Sequence, residues 1–243
     1  MLPRGRWRAC YHGNYRCDGL PVKILALDTS TEACSVALWD DGQVDERFEL
    51  GRQHSQRILP MIETLLGDAG LGLGALDAVA FGRGPGSFTG LRIGAGVVQG
   101  LAFAADLPVV PVSSLAALAH DEPQTRVLAA LDARMGQLYW AAYLRDGPRL
   151  RLVGLEHVAA PGDLSVPEGG GWWGVGSGWD LYAAPLMERW PDQVSGWSAQ
   201  RYPRARAVAA LGAEGLAAGE ALPAERALPV YVRDEVAKKK AGG

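Results

Sequence analysis

The sequence predicts an α/β chain of two duplicated lobes, and three observations carry that prediction. A short apolar strand ending in Asp28, a polar turn and a second strand open the patterned part of the chain. The same plan returns around Asp132, and helical periodicity lies between the two copies. Strands interleaved with amphipathic helices call for a sheet layered with helices, because an all-β sandwich leaves the apolar helix faces nothing to cover.

The first copy, KILALDTSTEACSVALW over residues 23–39, reads as a strand to Asp28, a turn, and an alternating strand from Cys34 to Trp39. Asp41-Gly42 supplies the closing turn. From His54 to Leu66 (HSQRILPMIETLL) the residues Ile58, Leu59, Ile62, Leu65 and Leu66 share a helical face. Pro60 removes one backbone donor there and is expected to kink the first turns. A strand at Ala78 to Phe81 follows, then a Gly-rich loop, a helix from about Gly90 to Ala105, and a strand at Val109 to Val112.

The second copy is VLAALDARMGQLYWAAYLRDG, from Val127 to Gly147. Asp and the closing Gly lie 14 residues apart in the first copy (28 to 42) and 15 in the second (132 to 147). Apolar-Asp-turn-strand is a common pattern, so chance competes with duplication; duplication is the reading adopted. After Val153 the pattern weakens into a Gly/Trp-rich loop from Gly169 to Trp179, a helix from about Arg204 to Ala218, and the tail PVYVRDEVAKKKAGG. Two lobes that each open with a hairpin whose first strand ends in Asp describe the actin-like, ribonuclease-H-like architecture. The expected division gives residues 22–115 to the N-terminal lobe and 116–243 to a smaller C-terminal lobe with a basic tail.

Composition narrows the function. With 243 residues, 48% of them hydrophobic, the chain buries one large core or two smaller ones. Lys+Arg number 24 against 27 Asp+Glu, a net charge of -3, so no strong positive field holds a polyanion by counterion release. If RNA is the ultimate substrate, another chain grips it. The three cysteines, Cys10, Cys17 and Cys34, form neither a disulfide framework nor a metal knuckle, which suits a reducing cytosol. The apolar run from Ile93 to Val112 is interrupted by Gln99, Asp106, Pro108 and Pro111, so a buried helix and strand is preferred to a membrane span. Residues 1–21 are basic, lack the apolar core of a signal peptide, and are expected to be disordered. Because valine can stand for an alternative bacterial start codon, Val22 is the expected true start.

Each chemical motif carries a functional and a structural reading. In actin-like ATPases the Asp ending the first strand sits near Mg-nucleotide and the following turn wraps a phosphate with N–H groups. Asp28 with Thr29, Ser30 and Thr31 keeps that chemistry in outline; the alternative is that Asp28 and Asp132 terminate strands and cap turns. The second turn, Ala133-Arg134-Met135-Gly136, is too bulky for close approach to a phosphate.

The loop Gly84-Pro85-Gly86-Ser87-Phe88-Thr89-Gly90 follows a strand and opens a helix, where free N–H groups can hold an anion. Its glycine spacing misses the dinucleotide fingerprint and no Lys follows, so a tight turn against a partner stands beside anion binding. Gly94, Gly96 and Gly100 each weaken the next helix by about 1 kcal/mol relative to Ala, which close packing on another helix, or on the chain's own sheet, would offset.

His54 reads as a surface residue at a helix start, since no His-x-x-x-His pair exists. Gly174 to Trp179 is a Gly turn or an approach for adenine, and Lys238 to Lys240 form a solvated tail.

The strings ILALDTSTEACSVAL, HSQRILPMI, GPGSFTGLRIG with GLAFA after it, VSSLAALA, LDARMGQLYWAAY, Tyr202-Pro203 and PVYVRDEVAKK resemble the TsaB (YeaZ) family in order and spacing, from about Ile24 to Lys240. Only the N-terminal extension and the Gly/Trp-rich segment depart from it. The resemblance implies an actin-like fold with a degenerate second lobe, in a non-catalytic paralogue of TsaD. It implies a homodimer that exchanges into a heterodimer with TsaD, association with the ATPase TsaE, and a cytosolic role. That role is as the dimerisation and assembly subunit of the complex that transfers threonylcarbamoyl to N6 of the adenosine 3' of the anticodon in tRNAs reading codons that begin with A. The paralogue's metal-binding HxxxH has no counterpart. No cofactor is assigned to this chain; ATP or ADP with Mg belongs to the complex, with Asp28, Ser30, Gly84 and Gly86 as the nucleotide-binding candidates. The partner interface falls on two helices, at His54, Arg57, Ile58, Met61, Ile62 and Leu65 and at Gly94, Gly96, Val97 and Leu101. An active actin-like phosphotransferase and a peptidase are the competing functions.

Overall fold

The computed structural model describes residues 21–147 and 149–232, with the backbone of Tyr11–His12 and Tyr15–Arg16. Cys10, Cys17, the basic tail and most of the N-terminal extension lie outside the described residues. The chain forms two compact units, Met1–Asp121 with Tyr202–Pro229, and Glu122–Arg201 with Val230–Gly243.

In the first unit, strands β1 (Lys23–Asp28), β2 (Ala33–Asp40) and β3 (Gln43–Leu50) form an antiparallel meander. Helix α1 (His54–Asp68) leads to β4 (Ala78–Gly84), α2 (Phe88–Ala105) and β5 (Val109–Ser113), and α3 (Ser114–His120) follows. The sheet order is β3-β2-β1-β4-β5, with β4 and β5 parallel to β1.

Central strand β1 is buried on both faces, and its period of two sorts the core. Leu25 and Leu27 join Ile58, Ile62, Leu65 and Val98 under α1 and α2. Ile24 and Ala26 join Ala80, Val110 and Val208 on the opposite face. That face is covered by α5 (Ala205–Ala217), whose alanines and glycines let it lie close to the sheet. Gly212 faces the Ala80 methyl, so even a Cβ there would crowd the strand.

α5 follows a strap in which Ala205 N donates to the buried Ser35 Oγ at 2.6 Å and the Arg204 guanidinium meets Glu46 at 2.6 Å. The expected lobe division therefore fails at two points: residues 116–121 stay with the first unit, and Tyr202–Pro229 returns to it. Sequence order hides this, because nothing in an Ala-rich helix says which sheet it covers.

The second unit repeats the plan. β6 (Arg126–Arg134), β7 (Gln137–Asp146) and β8 (Arg149–Ala159) form the meander; β9 (Trp172–Val175), α4 (Ser177–Arg189) and β10 (Val194–Ser198) complete it. Its order, β8-β7-β6-β9-β10, matches the first sheet strand for strand. The two matching sheets establish the α/β actin-like fold that the repeated hairpin predicted.

The Gly/Trp-rich segment expected as a loop contains β9 and the start of α4. Trp179 lies over Gly174, where a Cβ would overlap the indole, and donates its Nε1 to Leu128 O at 2.9 Å. Trp140 makes tilted ring contacts with Trp179 and Trp190, with ring centroids 5.8 and 5.9 Å away. A four-residue strand of Trp, Gly and Val carries too short a pattern to announce itself.

Candidate functional site

The sequence-predicted residues gather in the first unit at the end of β1. Asp28 is 1% exposed. Its Oδ1 accepts from Ser30 N at 2.8 Å and Ser30 Oγ at 2.7 Å, and its Oδ2 from Ser114 Oγ at 3.3 Å. Burial pushes the carboxyl up to about 6, against the weaker opposing pull of the Ser30 and Ser114 hydrogen bonds.

The following residues are covered by the β4–α2 loop. Ser87 N donates to Ser30 O at 2.6 Å, and Thr29 Oγ1 donates to Gly90 O at 2.8 Å. Glycines at 82, 86, 90 and 94 make this approach possible. An added Cβ would overlap the Asp28 carboxylate at 82, Ser30 O at 86, Thr29 O at 90 and Thr29 Oγ1 at 94. Gly84 adopts φ 104°, which favours glycine on backbone grounds. The polar atoms of Asp28 and Ser30 thus serve the chain's own packing: the Ser30 amide is taken by Asp28 Oδ1, and the Thr29 and Ser30 carbonyls face the chain's own loop. Gly82 and Ser114 were not singled out as site residues; for Gly82 the four-residue spacing of the glycines was the available signal.

His54 corrects the expectation of a surface residue. It is 5% exposed, and its Nε2 lies 2.8 Å from Thr31 O. A carbonyl only accepts, so Nε2 carries the proton and donates. Its buried Nδ1 has no hydrogen-bond partner among the described residues.

The interface residues divide. Ile58, Met61, Ile62 and Leu65 pack into the core under the sheet, and Gly94 is buried against Thr29, so these residues and His54 are not docking surface in this chain. The apolar stripe on α1 was the helix's inward face. Arg57 is exposed and paired with Glu49 on β3, whose carboxyl it holds below the usual range. On α2, Gly96 is exposed, and Val97 and Leu101 are half-buried against the core.

The outer face of α2 carries large apolar groups that the sequence reading passed over, Phe88 and the 81%-exposed Phe103, while Leu59 stands out from α1. Arg92 lies over the Phe88 ring, 3.7 Å from its centroid. Gly96, Gln99, Gly100, Phe103, Ala104 and Ala224 line an open cavity of about 540 Å³. Gln99 Nε2 ties the flanking strap to α2 by donating to Ala227 O at 3.2 Å. α2 is long and apolar enough, by length and composition, to cross a membrane. Its Leu91, Ala95, Val98 and Ala102 are buried in the first unit.

Two sheets of identical strand order, the first with its hairpin turn sealed by a glycine loop, define an actin-like α/β protein. A model of the TsaD family, tRNA N6-adenosine threonylcarbamoyltransferase, matches residues 49–171. The tRNA threonylcarbamoyladenosine biosynthesis protein TsaB of Escherichia coli (strain K12) is 43% identical, over 91% of this chain and 99% of its own. The TsaB of Haemophilus influenzae is 40% identical, over 91% and 98%. The solved structure of YeaZ from Pseudomonas aeruginosa superimposes with a TM-score of 0.81 at 47% identity, over 86% of this chain and 99% of that one. The chain belongs to the TsaB family.

Proposed function

We propose that this chain is the assembly subunit of the complex that transfers threonylcarbamoyl to tRNA, at N6 of the adenosine 3' of the anticodon, and that it supplies no chemical group to the transfer. One observation carries the reading. Gly94 is required by Thr29, but a Cβ at Gly96 or Gly100 would meet nothing within 4 Å. Two glycines that each weaken a helix by about 1 kcal/mol, and that the chain's own packing does not need, are offset when another backbone approaches.

The occupant is a second copy of this face. A self-complementary stripe closes a two-fold dimer, with the apolar Phe103 and Leu59 beside it and Arg57, Val97 and Leu101 at its edges. The TsaD-family match spans both α1 and α2, which supports a catalytic paralogue offering an equivalent helix pair, so that homodimer exchanges for heterodimer. TsaE then joins that heterodimer, in the cytosol, and ATP or ADP with Mg belongs to the assembled complex. Both hairpin aspartates already hold their own chain, Asp28 through Ser30 and Asp132 through Arg134 N at 2.8 Å, in keeping with a subunit that contributes structure.

Gly96→Leu tests this. The added side chain enters open space in the monomer, so the fold survives, while the two helices are held apart. Light scattering should report a monomer, and tRNA modification by the complex reconstituted with TsaD and TsaE should fall in step. A folded variant that still dimerises rules the interface out; lost association with full modification rules out the assembly role.

A further inference from the structure

We infer that the buried turn Asp28–Thr31 is a clasp that fixes both docking helices, so that side chains with almost no surface of their own set the affinity of the α1–α2 face for a second copy. The inference rests on the docking reading of that face.

The turn touches the beginning of each helix by directional bonds. At α1, the first helical residue, His54, donates from Nε2 to Thr31 O at 2.8 Å. At α2, Thr29 Oγ1 donates to Gly90 O at 2.8 Å and Ser87 N to Ser30 O at 2.6 Å, while Gly90 and Gly94 lay bare backbone on Thr29. Between these attachments Asp28 Oδ1 holds Ser30 by its amide and its hydroxyl. One rigid turn therefore grips the N-terminal ends of both helices.

The apolar contacts beneath α1 and α2 do not fix this geometry by themselves. Burial of Ile58, Ile62, Val98 and their neighbours is non-directional: it holds the helices to the sheet without specifying any bond angle. Hydrogen bonds at defined angles do not. Docking needs Leu59 on α1 and Gly96, Gly100 and Phe103 on α2 presented together, so a partner reads the relative position of the helices that the clasp sets. Thr29 and His54 are positioning residues in this scheme: they touch no partner and act through the helices.

Thr29→Val keeps the shape and removes the donor to Gly90 O. Self-association, measured by sedimentation of the full chain, should weaken roughly five- to tenfold, in the range of ordinary coupling between sites. Thr29→Ser, which keeps the hydroxyl, should recover most of it. Ser35→Ala is the matched control, since it removes another buried hydrogen bond, the 2.6 Å contact to Ala205 N under α5. It should lower unfolding stability and leave association unchanged. If Ser35→Ala weakens association as much as Thr29→Val does, general destabilisation explains both and the clasp is refuted.

Gly96→Leu separates the two readings. Should it leave association untouched, the docking face is wrong and the clasp falls with it. Should it abolish association while Thr29→Val stays within about twofold of wild type, only the clasp is overturned. If Thr29→Val does not fold, the wild-type chain decides, because coupling is reciprocal. Association should then slow hydrogen exchange at the Ser30 and Ser87 amides more than at Ala205, and equal slowing at all three overturns the proposal.

Discussion

The two hairpin turns occupy equivalent places in two sheets of identical order, yet they differ in almost every physical respect. The turn after β1 is sealed: Asp28 is 1% exposed against Gly82, and glycines at 86, 90 and 94 bring the loop and α2 onto Ser30 and Thr29. The turn after β6 is open. Its Met135 is 83% exposed, and Asp132 engages its own Arg134, with a guanidinium contact of 3.0 Å. In each unit the next strand-to-helix connection comes back to the hairpin, through Ser87 to Ser30 O in the first and through Ser177 Oγ, which accepts from Asp132 N at 3.0 Å, in the second. The two units thus share their strand order and each ties the hairpin to that connection, by a bond donated from the loop in the first and from the hairpin in the second, while only the first turn has a dry, buried contact.

The largest expected effect breaks the seal. In Gly90→Ala the new methyl overlaps the Thr29 carbonyl oxygen, a backbone atom that cannot swing aside. Overpacking of that kind destabilises by about 3 kcal/mol or more. Gly136→Ala in the open turn meets nothing within 4 Å and loses only the left-handed preference at φ 71°, about 1 kcal/mol. Urea unfolding of both variants measures the gap, and equal midpoint shifts would show that the two turns are packed alike.

The second effect is electrostatic and depends on pH. Burial raises Asp28 from 3.8 to about 6, so between those pH values the folded chain holds a proton that the unfolded chain has lost. The protonated carboxyl's contribution is complete below pH 3.8 and disappears as pH rises through 6. Asn keeps an acceptor for Ser30 and offers a donor to Ser114 without the charge. Asp28→Asn should therefore be more stable than wild type by roughly 2–3 kcal/mol at pH 8 and no more stable at pH 4. Asp132→Asn removes an exposed ion pair, for a change of about 0.5 kcal/mol. A loss of stability for Asp28→Asn at pH 8 would mean that the folded chain favours the carboxylate.

How much of this the sequence foretold follows from which forces have a local signature. The repeated apolar-Asp-turn-strand pattern places β1 and β2, and again β6 and β7, because strand periodicity is local. α2 and α5 fall within two residues of expectation, as their apolar runs are local too. The direction of an apolar stripe is not local. Ile58, Met61, Ile62 and Leu65 look the same whether a sheet or a partner covers them, and here the sheet does. His54 was misplaced for the same reason: its partner, Thr31 O, lies 23 residues back in the chain. The glycines at 82, 86, 90 and 94 were visible as letters, but which atom each one admits needs the fold.

The smallest effect sharpens the contrast at the open turn. Arg134, Met135 and Gly136 adopt φ of 64°, 55° and 71°, three successive left-handed residues of which only the last is glycine. An L side chain there opposes its own carbonyl at roughly 1–2 kcal/mol per residue, a strain that Asn tolerates better than Met. Because Met135 is 83% exposed, replacing it removes little packing. Met135→Asn should raise stability by about 0.5–1 kcal/mol, seen as a higher urea midpoint with an unchanged slope. No such gain is available in the sealed turn, where Thr29, Ser30 and Thr31 have no left-handed backbone to relieve. A Met135→Asn chain less stable than wild type would show that the methionine is packed, and the open turn would then be as specialised as the sealed one.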